Sequence, residues 1–530
     1  MKSWRALVLV LAMALVFGCA APPNKPPSAA APPNTRPSAA PATPSAATTP
    51  AVPATAAAET KLTPEQVKEH DKRAQEFLRQ KDYRKALDEF QDALSSDPNN
   101  QTRLYNMASA YSLLNEKEQA VTFLKRAVEA GWDNFDWMKK DSDLDAIRNT
   151  AGYQQLLKTG VMAAQLDAKL QATRKLLASK GVDASQYRAE KSTSIQCMAF
   201  LYKTNIAHAV VAAKRKELED YANYLWKTLL LHPPATPVCV VLIDGIDRAK
   251  VFRDAYTQGV FFSAINTLVC TCDDVPMAAN LRKNTMLHEF THCLHMNDTW
   301  AMGYQPSIWF AEGLATLYGS AIKVGDSFRP RFDASLPTAQ GAVRKGSVPP
   351  WATIVRLSPP EFMANMDVKK FAVNYATSEY TFFYIYERGL LKKFYDEYCR
   401  QVAGNRDQGL AAQKAIEAAF GKPMAAVERD WREWVLKQQL LPLPDIGAQI
   451  VARAGIVSVT AVKPGSPAEK AGIRPGDQIR AVNGREVTSV PETTDAMEIK
   501  AAGDPMEVEI VRNGQKQAVK VTLEKPPGTK

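Results

Sequence analysis

Residues 286–294 read Met-Leu-His-Glu-Phe-Thr-His-Cys-Leu, and the spacing of His288, Glu289 and His292 within them organises the rest of the chain. On a helix, positions i and i+4 share one face, so both imidazoles can point at a single metal ion. Glu289 stands beside the first histidine, where its carboxylate can reach a water on that metal without itself ligating. The pentapeptide alone is a moderate signal. A second apolar, helix-like run strengthens it: Ser307-Ile308-Trp309-Phe310-Ala311-Glu312-Gly313-Leu314-Ala315-Thr316 supplies a carboxylate downstream of the histidines. Three protein ligands and one open position characterise a catalytic rather than a closed structural zinc site.

Upstream, Pro237-Val238-Cys239-Val240-Val241-Leu242-Ile243-Asp244 is a continuous apolar run rich in β-branched residues, the pattern of a buried strand. Residues 259–270 form a second strand region just before the motif. Residues 160 to 235 are rich in Ala, Leu, Lys and Arg and read as mostly helical.

The ligand pattern, with Glu312 in Trp-Phe-x-Glu-Gly-Leu-Ala 24 residues after His288, resembles the gluzincins, the thermolysin- and aminopeptidase-like zinc peptidases. The metzincin pattern is not met, because His295 stands at its glycine and Asp298 at its third histidine. The resemblance implies an α+β zincin-like domain over 236–440 in which His288, His292 and Glu312 bind Zn²⁺ and Glu289 acts as general base. It implies an edge strand around Phe261 to Leu268 that pairs with extended substrate. It also places Thr316 beside a ligand histidine and makes Tyr375, rather than Tyr380, the donor to the oxyanion. Other nearby residues fit ordinary packing: His295, Cys293, Cys270 and Cys272 carry no assigned chemistry. The six cysteines beyond Cys19 give no pairing from their spacing.

The first residues read as targeting. Lys2 and Arg5 precede twelve apolar residues, Ala6 to Phe17, too few to span a bilayer comfortably and suited to a signal peptide over 1–18. Leu15-Val16-Phe17-Gly18-Cys19-Ala20 resembles the bacterial lipobox, although Phe17 is larger than the usual residue there. That resemblance makes Cys19 the lipidated mature N-terminus, an anchor of several acyl chains. Ala20 is not the aspartate of inner-membrane retention, so the expected location is the outer membrane, facing the periplasm. Residues 19–60 are then a lipidated Ala/Pro-rich linker with no apolar face to bury.

From Leu62 the pattern turns helical and repeats. Residues 74–99 and 106–128 resemble two tetratricopeptide repeats, and Ala86 and Ala120 stand 34 residues apart, the period of that family. The repeat region is expected over 61–160, with a closing helix from Leu144 to Leu157, followed by a helical connecting region over 161–235. At the other end, Pro464-Gly465-Ser466-Pro467-Ala468 and Gly472-Ile473-Arg474-Pro475-Gly476-Asp477 closely resemble a bacterial PDZ domain, expected over 444–525. Asn513-Gly514 between apolar runs reads as a hairpin turn. By that resemblance Ile446, Gly447 and Ala448 form the loop that captures a peptide carboxylate.

The chain has 530 residues and a net charge of +10, without a dense basic stripe interleaved with aromatics, which argues against nucleic-acid binding. The fold class expected is multidomain: all-α tetratricopeptide hairpins, an α+β zincin-like domain and a mainly-β PDZ domain. The function expected is a membrane-anchored zinc metallopeptidase that cleaves envelope polypeptides by Glu-assisted attack of zinc-activated water. Its partners would be polypeptide substrates, proteins held by repeats and PDZ, and the membrane through a lipid anchor. The alternative is a non-catalytic scaffold or chaperone-like lipoprotein with a vestigial zinc site.

Overall fold

The computed structural model describes residues 62–252, 257–272, 283–364, 367–404, 407–440, 445–498 and 505–522. The expected signal peptide, the expected lipidation site Cys19 and the Ala/Pro-rich stretch lie outside the described residues. The chain divides into two compact units at Ala164/Gln165. Among the described residues, no helix is long and apolar enough to cross a membrane.

The first unit is helical. Helices α1 (Pro64–Arg79) and α2 (Tyr83–Ser96) form one hairpin, α3 (Gln101–Leu113) and α4 (Lys117–Glu129) a second. Thr63, Asp82 and Asn100 cap the first three by accepting backbone N–H bonds, the role for which short polar side chains suit helix starts. The two inter-helix turns repeat as well. Lys81 and Asn115, also 34 residues apart, both adopt left-handed backbone with φ of 61° and 60°. Ala86 and Ala120 are completely buried where paired helices approach. Before α5 (Ala151–Ser179), Ser142–Leu144 is a 3₁₀ turn, so the expected closing helix begins seven residues later than the sequence suggests.

The second unit opens with a five-stranded sheet in the order β1 (Tyr187–Lys191), β2 (Met198–Lys203), β3 (Val238–Ile243), β5 (Thr267–Thr271), β4 (Gly259–Phe262). β2, β3 and β5 run parallel, and β4 returns antiparallel on the edge. Two sequence expectations need correction here. Residues 161–235 are a helical connector only in part: α5 runs through Ser179 and α6 spans His208–Thr228, but β1 and β2 between them belong to this sheet. Met198-Ala199-Phe200-Leu201-Tyr202-Lys203 is buried along its whole length, so it shows neither the alternation nor the helical period that marks an element in sequence. Residues 259–270 are not one strand but a hairpin. Asn266 turns the chain with φ 44°, so the edge is Gly259–Phe262 while Thr267–Thr271 is interior.

Helix α7 (Thr285–Ala301) carries the histidine motif and packs against β4 and β5. A pair of buried amides joins it to the sheet: Asn297 Nδ2 donates to Asn266 Oδ1 at 2.8 Å, and Asn266 Nδ2 donates to Asn297 Oδ1 at 3.1 Å. α8 (Ile308–Gly319) pairs with α7, and a β-hairpin follows, β6 (Ile322–Val324) and β7 (Ser327–Arg329). Helices α9 (Leu336–Arg344), α10 (Val368–Glu387), α11 (Leu391–Gly404), α12 (Gln408–Phe420) and α13 (Met424–Lys437) complete the layer behind α8.

The C-terminal strands form a separate antiparallel sheet in the order β13 (Gln515–Thr522), β12 (Pro505–Arg512), β10 (Gln478–Val482), β9 (Ile456–Val462), β8 (Ala448–Arg453), with β11 (Arg485–Glu486) on β10. Asn513 and Gly514, at φ 51° and 78°, make the β12–β13 turn, the two positive φ values that an Asn-Gly hairpin supplies. Helix α14 (Val490–Met497) packs against β8 and β10. The architecture is thus helical repeats, a mixed α/β middle and a β-rich end.

Candidate metal centre

α7 and α8 bring three side chains together. His292 Nε2 lies 3.2 Å from His288 Nε2 and 3.4 Å from Glu312 Oε1, and His288 Nε2 lies 3.6 Å from Glu312 Oε2. Zinc holds nitrogen and oxygen ligands at about 2.0–2.1 Å, which puts neighbouring donors on a tetrahedron about 3.3 Å apart. The three donors already stand at that spacing. Glu312 is completely buried, and neither of its oxygens receives a well-aligned hydrogen bond. A buried carboxylate is costly unless a charge or donors compensate it. A divalent cation at the junction of these atoms would supply that compensation, so the residues fit zinc.

The helices can meet this closely because Gly319 lines their contact, while Gly313 lets α8 approach α10. A Cβ at Gly319 would lie 3.0 Å from His288 Cβ, and one at Gly313 would lie 2.4 Å from Phe382. Asn284 caps α7 by accepting from Leu287 N–H, and its own N–H donates to the Gly319 carbonyl at 2.6 Å, joining the start of α7 to the end of α8. The His288 ring donates to the Ala315 carbonyl. Thr316, expected beside a ligand histidine, instead spends its hydroxyl on the Glu312 and Gly313 carbonyls, so the orienting partner of His288 is backbone.

The electrostatics follow from burial. Burial, with the His292 and Lys283 charges adding to it, holds His288 well below the usual imidazole range. Burial also opposes charge on His292, but the Glu312 carboxylate outweighs it and raises this histidine. A metal at the centre would take the place of that proton, because only neutral imidazole ligates. Burial pushes Glu289 up to about 7, against the opposing pull of His292 and a backbone hydrogen bond. That bond comes from the edge strand: Phe261 N–H donates to Glu289 Oε2 at 3.0 Å. β4 therefore turns a backbone donor toward the motif helix.

The other expected residues are placed as follows. Tyr375 sits on α10, buried, its ring against Phe371 and Phe362 at 4.5 and 5.3 Å. Tyr380 is committed elsewhere, donating to Asp333 Oδ1 at 3.2 Å. His295 packs against Phe310 and Tyr395 and is held down to about 3 by burial and by His292. Asp298, at the metzincin histidine position, is fully buried and accepts from the Leu231 and His232 backbone and from Tyr395. Ile446, Gly447 and Ala448 lead into β8, the edge of the C-terminal sheet. Gly447 has φ 75°, and a Cβ there would lie 2.3 Å from Ser466 Cβ. Its N–H donates to Asp445 Oδ1 at 2.7 Å. The sequence reading gave His70 no role, yet on α1 it stands beside Glu89 and Asp92 of α2 as a second group of ligand-type atoms, with Arg73 already paired to Glu89. Lys283, Asp333 and Glu379 also escaped it, because polar residues scattered over a hundred positions leave no motif.

Comparison with known proteins identifies the two ends of the chain. Residues 77–137 match the tetratricopeptide repeat model, and residues 444–523 match a PDZ domain model. A chloroplastic protein of Arabidopsis thaliana is 30% identical over 86 residues, 16% of this chain and 26% of its own length. A probable periplasmic serine endoprotease, DegP-like, of Chlamydia trachomatis is 42% identical over 69 residues, 13% of this chain and 14% of its own. The chain thus spans about a quarter or less of these relatives. Among solved structures, an aminopeptidase N family protein from Idiomarina loihiensis aligns over 64% of this chain and 67% of its own, at 13% identity and a TM-score of 0.26. The chain carries a tetratricopeptide repeat region and a PDZ domain on either side of a mixed α/β middle.

Proposed function

We propose that this protein is a zinc-dependent peptidase of the gluzincin type, tethered to the outer membrane through Cys19 and acting on polypeptides of the cell envelope. The observation that carries the reading is the buried cluster of His288, His292 and Glu312, with donor atoms 3.2–3.6 Å apart and a carboxylate that has no other partner. Zinc held there would supply Lewis acidity, polarising a substrate carbonyl and making water acidic enough to ionise near neutral pH.

The chain's own residues do the rest. Phe261 N–H anchors Glu289 Oε2, which orients the carboxyl and leaves Oε1 to take a proton from water and return it to the leaving amine. A carboxyl pushed up to about 7 is suited to both halves of that exchange near neutrality. Edge strand β4 offers its backbone to an extended substrate beside the same carboxyl. Tyr375 is the proposed donor to the oxyanion. The repeats and the PDZ domain bind clients or partner proteins.

Glu289→Gln tests this reading. It keeps the side-chain shape and removes the base, so zinc content should stay at about one per chain. Cleavage of unfolded envelope polypeptides, read by mass spectrometry, should fall by about 10²–10⁴-fold. Equal cleavage by both proteins would assign the activity to a contaminant. No cleavage by either, with zinc bound, would favour the scaffold reading.

A further inference from the structure

Lys283 stands one residue ahead of the α7 N-cap, at the positive end of the helix dipole, where a cation is disfavoured. What holds it there is a pair of buried carboxyl groups. Its Nζ lies 2.8 Å from Asp333 Oδ2 and 3.2 Å from Glu379 Oε2, and both acids are almost completely excluded from solvent. Asp333 is itself fixed on its other side, accepting at Oδ1 from Ser335 N–H at 2.7 Å and from Tyr380 Oη–H at 3.2 Å. The start of the motif helix is thus tied to a segment some fifty residues away in sequence.

That segment reaches further. Arg331, two residues before Asp333, lies with Nη2 2.6 Å from Asp495 Oδ1 of α14, and it also pairs with Glu498 at the end of that helix. Between them Phe332 stacks on Phe383 of α10 with ring centroids 4.6 Å apart. The three residues therefore form a strap. One end grips the PDZ helix, the middle is wedged in aromatics, and the other end grips the lysine at the head of α7. A second contact, Lys214 of α6 with Glu492 of α14 at 2.8 Å, holds the same PDZ helix against the α/β domain. Two basic residues, Arg331 and Lys214, make three ion pairs to this one short helix and fix its orientation against the domain that carries the candidate metal centre.

We propose that Arg331-Phe332-Asp333 is a positioning strap: Asp333 sets the start of α7 through Lys283, and the PDZ helix holds the strap through Arg331. These are positioning residues, since none belongs to the ligand set. His288 lies in the first turn and a half of α7, so slack at Lys283 displaces the first ligand before it reaches the rest of the helix. The part of this inference that concerns zinc rests on the metal reading above. The part that concerns the order of α7 does not.

The experiment uses the full-length chain in detergent and compares the parent with Asp333→Asn and Arg331→Met, with Lys283→Met as a third variant should Asp333→Asn fail to fold. Amide hydrogen exchange at Leu287, His288 and Glu289 should accelerate about tenfold in each, while exchange in α12 stays at the parental rate. Zinc affinity, measured by chelator competition, should weaken about tenfold, the scale on which supporting residues act on metal sites. Arg331→Glu combined with Asp495→Arg and Glu498→Arg should restore both. Parental exchange at the head of α7 in Asp333→Asn would overturn the proposal, and so would equal acceleration in α12, which signals general loosening. If the parent binds no zinc, the metal reading fails, and the exchange rates still decide whether the strap exists.

Discussion

Replacing Gly313 by alanine should destabilise a helix that alanine ordinarily strengthens. In an exposed helix interior the change gains roughly 0.5–1 kcal/mol by reducing the freedom of the unfolded chain. Here the new Cβ would stand 2.4 and 2.6 Å from two ring carbons of Phe382 and 3.2 Å from the Ser378 carbonyl. Carbon atoms in contact prefer about 3.5–4.0 Å, so the overlap is about 1 Å. The ring has nowhere to go. Phe382 is fully buried, with Phe310 and Trp309 at centroid distances of 5.0 and 5.1 Å. α8 and α10 must therefore separate, at an overpacking cost of about 1–3 kcal/mol. The net loss is up to about 2.5 kcal/mol, a fall in Tm of up to roughly 10 °C by calorimetry. Because Glu312 is the neighbouring residue on α8, the same shift moves the proposed third ligand, and zinc affinity by chelator competition should fall with it. A variant that melts higher than the parent, with unchanged zinc affinity, would refute the claim that this glycine sets the spacing of α8 and α10.

Glu312→Ala should lower zinc content sharply by atomic spectroscopy. His295→Ala should leave it near one per chain while lowering Tm, since His295 is buried against Phe310 and Tyr395. Acid should loosen the PDZ helix. Burial resists charge on Glu492, but the Lys214 ammonium and hydrogen bonds from Thr488 outweigh it and hold the carboxyl down at about 2. A depressed carboxyl contributes stability that is complete above the ordinary value near 4.5 and is lost as pH falls from there toward 2. Denaturant midpoints between pH 7 and 3 should therefore drop less in Glu492→Gln than in the parent, and parallel curves would exclude the pair as the cause. Cys19→Ser should move the protein from the membrane fraction to the soluble fraction on immunoblots, and a variant still pelleting with membranes would point to another anchor.

The cluster of His288, His292 and Glu312 shows what was legible in sequence. His288 and His292 follow from a single helical period, and Glu312 from one apolar run downstream, because local spacing fixes a helix face wherever the helix is later placed. The repeats were readable for the same reason. Their 34-residue period appears in composition at Ala86 and Ala120, and again in the backbone at Lys81 and Asn115. The Asn513-Gly514 hairpin needed only two residues of turn chemistry.

Strand β2 was not legible. Buried on both faces, Met198 to Lys203 loses the alternation that distinguishes a strand, and only its pairing beside β3 makes it one. The hairpin at Asn266 was hidden because the two apolar strands it joins read as one run. Thr316 was expected beside a ligand histidine from its place one turn after Glu312, yet the helix carbonyls one turn back take its proton. Lys283, Arg331, Asp333, Glu379 and Asp495 carry no pattern in sequence, since charged residues are common and their partners lie 50 to 164 positions away. The sequence by itself determined which side chains could ligate and which segments repeat, because both depend on neighbours within a turn or two of helix. Tertiary structure alone decided which donors meet, which edge of the sheet faces Glu289 and which charges hold the ligand helices in place. Those contacts are made between chain segments whose approach is set by burial of the apolar surface around them.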